Sequence, residues 1–120
     1  MEHEQGITFT FENFDTSNVT SMSQWFTDGE DIISLDLSGW DTSNVENVNS
    51  MFNRCYLLTS LNLTGWDLSN CTNFTMMLGD VSSNIVITCS AETKAIIMAH
   101  NGTGTGKIGI TLTDANFIVV

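Results

Sequence analysis

The chain matches itself at an offset of 26 residues, and this repeat restricts its fold more than any other feature. Phe14-Asp15-Thr16-Ser17-Asn18-Val19 returns as Trp40-Asp41-Thr42-Ser43-Asn44-Val45 and again as Trp66-Asp67-Leu68-Ser69-Asn70-Cys71. Ten of 26 positions are identical between residues 14–39 and 40–65 and six between 40–65 and 66–91, so identity decays toward the carboxyl end. Apolar character outlasts identity, at Met22, Val48 and Phe74, at Trp25, Met51 and Met77, and at Phe26, Phe52 and Leu78. A unit this short cannot bury an apolar face alone. Fixed apolar positions at a fixed period therefore predict a repeat solenoid in which each coil covers its neighbour.

Each unit carries one alternating run, Ser34-Leu35-Asp36-Leu37-Ser38 and then Ser60-Leu61-Asn62-Leu63-Thr64. Alternation at period two is a strand with one buried face. Counting back 26 places from Leu35 and Leu37 reaches Phe9 and Phe11, so the amino end reads as a half repeat supplying a first strand. Counting forward reaches Ile87 and Cys89, which gives four strands in one short parallel sheet. The Val-x-x-Met/Val-x-x-Met/Trp-Phe segment of each coil has the spacing of one helical or 3₁₀ turn facing the core. Gly39 and Gly65, each followed by Trp, mark the turn leaving the strand, where a positive φ is expected. Asp15, Asp41 and Asp67 suit Asx-type caps on the amides that follow, and Asn18, Asn44 and Asn70 suit a hydrogen-bonded ladder between coils.

The segment LDLSGWDTSNVENVNSMFNRCYLLTSLNLTGWDLSNC, with its W-D-T-S-N-V, S-M-F and S-L-D-L-S-G-W elements, resembles the BspA-like leucine-rich repeats of bacterial surface proteins. Similar repeats occur in mycoplasma lipoproteins. The resemblance covers about residues 6 to 90, and it implies an adhesin-like or host-contact module.

Beyond the repeat, residues 90–102 read as a capped helix, with Ser90 at its start and Gly102 just past its end. Thr103–Gly106 then forms a loop, Lys107–Leu112 an alternating strand and Phe117–Val120 a terminal strand. The expected organisation is a leucine-rich-repeat-like solenoid over residues 1–90 and an α/β cap over residues 91–120, since the last coil needs its apolar end covered.

Among 120 residues there are 14 acids and 3 bases, a net charge of -11, which makes nucleic acid and anionic membranes poor partners. The longest apolar runs are far short of a membrane span, so no membrane insertion is expected. His3 and His100 are the two histidines; one lies in an acidic leader and one at a helix end, where it favours the macrodipole. No G-x-S-x-G occurs, and Gly102–Lys107 fails the phosphate-loop spacing because Gly102 is one residue too close to Gly106 and Ile108 replaces the needed hydroxyl. Asp28-Gly29-Glu30-Asp31 is the best calcium candidate by charge, and a solvated loop accounts for it more simply. Cys55, Cys71 and Cys89 are odd in number without a CxxC pair, and Cys71 and Cys89 replace core hydrophobes. The five N-x-[ST] sequons follow from an Asn- and Thr-rich repeat. No catalytic residue, metal site or cofactor is expected, and the chain reads as a non-enzyme.

What remains is surface. The outward strand positions are Thr8, Thr10 and Glu12; Ser34, Asp36 and Ser38; Ser60, Asn62 and Thr64; and Thr88. This polar parallel face is the candidate binding face, offered to a protein or glycan. Phe117, Ile118, Val119 and Val120 form a candidate association strand toward a copy of the chain or a larger assembly. The leading expectation is a binding or adhesion module; the rival is a structural part of an assembly, such as a bacteriophage decoration, fibre or tail protein. The acidic start Met1–Gln5 is not followed by an apolar export segment. Bacterial surface display is then expected only as part of a longer exported chain, with a virion-associated or cytoplasmic place otherwise.

Overall fold

The computed structural model describes residues 7–11 and 14–120. Five short strands form one parallel sheet in chain order: β1 (Ile7–Thr10), β2 (Ile32–Asp36), β3 (Ser60–Asn62), β4 (Val86–Cys89) and β5 (Phe117–Val119). One helix, α1 (Ala91–Ala99), and a 3₁₀ turn over Asp114–Asn116 lie between β4 and β5. Register follows the repeat, since Leu35 pairs with Leu61 and Leu61 with Ile87, each 26 residues apart. These three side chains are fully buried, as are Leu37, Leu63 and Cys89 two residues on. Removing each aliphatic side chain from water contributes about 1.5–3 kcal/mol.

The segment opposite the sheet is not the helical or 3₁₀ turn that the spacing suggested. It is a series of tight turns whose N–H groups alternate in destination. The amides of Trp25, Thr27 and Gly29 bond three residues back, to Met22, Gln24 and Phe26, whereas those of Gln24, Phe26 and Asp28 bond the next unit's Asn49, Met51 and Asn53 carbonyls. With every second donor committed between units, a continuous helical ladder cannot form. The backbone accommodates this with left-handed residues at the same places in each unit, Gln24, Ser50 and Met76, then Asp28, Arg54 and Asp80, with φ between 55° and 69°.

The last 30 residues close the stack on several sides. β5 pairs with β4 and extends the sheet to five strands rather than four. Lys107–Leu112 is not a strand of that sheet. Its first two residues end the ladder of turns instead, the amides of Met76 and Leu78 donating to the carbonyls of Lys107 and Ile108 at 2.8 Å each. Gly109 (φ +93) is required there, because an added Cβ would stand 2.8 Å from the Gly79 Cα. α1 is capped by Ser90, whose hydroxyl accepts from the Thr93 amide, and the Thr93 hydroxyl donates to the Trp66 carbonyl at 3.1 Å.

Candidate binding face

The outward face of the sheet is organised in rows set by the register. Thr10, Asp36, Asn62 and Thr88 stand side by side on four successive strands, and Ile118 of β5 extends the row. Thr8, Ser34 and Ser60 form a second row that ends on Val86. Glu12 lies outside the described residues. Neighbouring members of a row are about 4.8 Å apart, so one extended ligand could touch several of them.

Local turns fix the two polar groups at the centre. Asp36 Oδ1 accepts from the Ser38 amide at 3.0 Å and its hydroxyl at 2.6 Å. Asn62 Oδ1 accepts equivalently from the Thr64 amide and hydroxyl, at 3.0 and 2.6 Å. The Ser38 hydroxyl and then its amide hold the Asp36 carboxyl below the usual 3.8, so the face carries a fixed negative charge at that point.

The Asp caps at the bends form as expected. Asp15 and Asp41 each cap the Ser two residues on through amide and hydroxyl, and Asp67 caps the Ser69 amide. These bonds hold all three carboxyls low, even though Asp15 and Asp67 both push Asp41 upward by repulsion. Asn44 and Asn70 donate from Nδ2 to the carbonyls of Ser17 and Ser43, at 2.8 and 2.7 Å, tying each unit to the one before.

The other candidates are accounted for by local contacts. Asp28 pairs with Arg54 of the following unit at 2.8 Å. Among the described residues no group of three His, Cys, Asp or Glu side chains could hold a metal ion. His100 Nδ1 lies 3.0 Å from the Ile96 carbonyl and its ring stacks on Phe74, centroids 4.2 Å apart; His3 lies outside the described residues. Cys55, Cys71 and Cys89 are free and buried, and burial raises each thiol, that of Cys89 to about 11.

Sequence reasoning placed Phe9 and Trp25 inward, and both are more than a third exposed. Phe9 is on the outermost strand, and Trp25 is on the outermost turn, with no unit covering either among the described residues. The gathering of Trp25 with Phe11, Phe14 and Trp40 was not foreseen; the aromatic substitutions at positions that are Met51 and Leu37 one unit later were its only signal. The association strand is seated as β5, with Phe117 packed on the core and Ile118, Val119 and Val120 exposed.

No curated protein and no solved structure matches the chain. A family profile does, over residues 2–88, and its description is "Mycoplasma protein of unknown function, DUF285". Because that match takes in the strands β1 to β3, most of β4 and the bends between them, the chain belongs to this family.

Proposed function

We propose that the repeat units form a leucine-rich-repeat-like solenoid of the BspA-like kind, acting as a non-enzymatic binding or adhesion module. The observation that carries this reading is the row Thr10–Asp36–Asn62–Thr88, which runs unbroken across four parallel strands over a buried Leu35–Leu61–Ile87 row. A hydrated, regularly spaced row on a rigid backing presents hydroxyl, amide and carboxylate groups at fixed intervals. That suits the main chain and polar side chains of a protein, or the hydroxyls of a glycan.

The test is a variant carrying Thr10→Arg, Asp36→Arg and Asn62→Arg, compared with the parent on arrays of host-surface proteins and glycans. Thr10 is exposed, whereas Asp36 and Asn62 are half-buried and each accepts two hydrogen bonds from its own turn, so the melt should fall modestly with the fold kept while array binding disappears. Unchanged binding by the folded variant would move the site elsewhere.

A second reading, a structural part of an assembly such as a phage decoration, fibre or tail protein, draws on β5. Ile118 and Val119 are 54% and 46% exposed on the sheet's last strand, and such an edge can add a strand from a neighbouring chain.

A further inference from the structure

At the amino-terminal end of the stack, aromatic rings converge on Trp40. Phe14 lies 5.2 Å from it, Phe11 5.3 Å and Trp25 5.8 Å, centroid to centroid. Trp40 is 4% exposed at the base of the group, while Phe14 is 50% and Trp25 39% exposed above it. One unit later the same two positions are Trp40 and Met51, at 4% and 0%, so the exposed ring area is peculiar to this end. Between Phe11, Phe14 and Trp40 opens a cleft of about 440 Å³, with Asp15, Ser38 and Gly39 on its rim. A Cβ added to Gly39 would meet nothing within 4 Å, so the rim is open there.

The charge beside this cleft is one-sided. Ser17 occupies Oδ1 of Asp15 and Ser43 occupies Oδ1 of Asp41, which leaves Oδ2 of each without a hydrogen-bond partner among the described residues. The chain's three basic side chains lie elsewhere: Arg54 pairs with Asp28, Lys94 with Asp114, and the Lys107 main chain meets Met76 at the far end of the stack.

We propose that this amino-terminal cleft docks an arginine-bearing segment of a partner protein, with a guanidinium lying on the exposed Phe14 ring and donating to Asp15 Oδ2. Aromatic faces attract cations, and guanidinium is the cation that combines stacking with planar donation to a carboxylate. A second copy of this chain would bring another net charge of -11 against the first and is repelled. A neutral saccharide would use the rings but leave the carboxylates uncompensated. Ser38 borders both this cleft and the strand face, but Phe14 and Asp15 lie outside that face and the proposal does not depend on it.

Titration of the protein with an oligoarginine peptide, an oligolysine peptide of equal length and a neutral oligosaccharide, followed by tryptophan emission and calorimetry, tests the proposal. The arginine peptide should bind about tenfold more tightly than the lysine peptide, and Phe14→Ser should remove about that factor. Asp15→Asn keeps the oxygen that Ser17 bonds and should weaken binding about threefold, whereas Asp67→Asn should leave it unchanged. Phe14→Leu, which retains apolar volume without an aromatic face, should behave like Phe14→Ser and covers the case in which the serine variant fails to fold. Equal binding of the two peptides, full binding by Phe14→Leu, saccharide binding that Phe14→Leu abolishes, or self-association that it abolishes would each overturn the proposal.

Discussion

Thr42 bonds Asp67 twice: its hydroxyl donates to the Asp67 carbonyl at 3.0 Å and accepts from the Asp67 amide at 2.7 Å. Thr42 is 1% exposed, so its hydroxyl has no water to take in place of either bond. Thr42→Val keeps the shape and strands one donor and one acceptor. The expected loss is about 0.5–1.5 kcal/mol per bond, and more in total than Thr16→Val loses, since Thr16 supplies one bond, to the Asp41 carbonyl. Urea midpoints of the two variants decide the order.

Leu35→Asp or Leu61→Asp should unfold the protein. Either puts an unpaired carboxylate into a fully buried row at a cost of several kcal/mol, against about 5–15 kcal/mol for a whole domain. Circular dichroism should show loss of the fold. A cooperative melt near the parent's would refute the inward assignment.

Gly109→Ala and Gly39→Ala share a left-handed backbone penalty of about 1–2 kcal/mol, with φ at +93 and +80. They differ in space: the new methyl at 109 meets Gly79 Cα at 2.8 Å and Met76 Sδ at 3.0 Å, while at 39 it meets nothing within 4 Å. Gly109→Ala should therefore be worse by about 1–3 kcal/mol, and equal denaturation midpoints would contradict the close approach.

Acid stability tests the Asx caps. Asp15, Asp36, Asp41 and Asp67 all lie below the ordinary 3.8 when folded, because Ser hydroxyls and amides bond the ionised form. Their contribution is thus present above pH about 4 and is lost as pH falls through the depressed values. Replacing all four by Asn keeps the acceptor oxygen and removes the titration. The melting temperature of that variant should fall less steeply below pH 4 than the parent's, and parallel curves would remove the caps as the cause.

Cys89, raised to about 11 by burial, is almost wholly protonated at pH 8, and Cys55 and Cys71 are raised for the same reason. A thiol reagent should label none of the three in the folded protein and all three in denaturant. Prompt labelling under native conditions would show that the core opens.

The parallel strands, their register and the caps were legible because each rests on a pattern written more than once: Leu35 and Leu61 give a period of 26, and Asp15, Asp41 and Asp67 recur before Ser. The turn opposite the sheet was misread because apolar spacing of i, i+3 and i+7 is common to a helix and to tight turns facing a core. What separates them is where the amides of Gln24 and Phe26 go, and that depends on Asn49 and Met51, residues 25 away in sequence. Lys107–Leu112 alternates like a strand, yet its first two residues meet Met76 and Leu78 on the turn side and its later ones meet Asn101 and Gly102. The outward face could be named in advance; Ile118 at the end of its row could not, because β5 stands outside the repeat.

Closure of the stack by separate pieces, β5 on the sheet, Lys107 and Ile108 on the turns and Thr93 on Trp66, bears on how such a chain can change length. The closing segments touch only the last repeat unit along these ladders, and the internal junctions share the main-chain bonds of the turn side, Gln24 to Asn49 and Phe26 to Met51 as Ser50 to Thr75 and Phe52 to Met77. An in-frame duplication of residues 40–65 would therefore insert a unit whose two faces fit those already present and leave the terminal junction untouched. Heritable variation in array length can then accumulate without re-evolving the end that seals it.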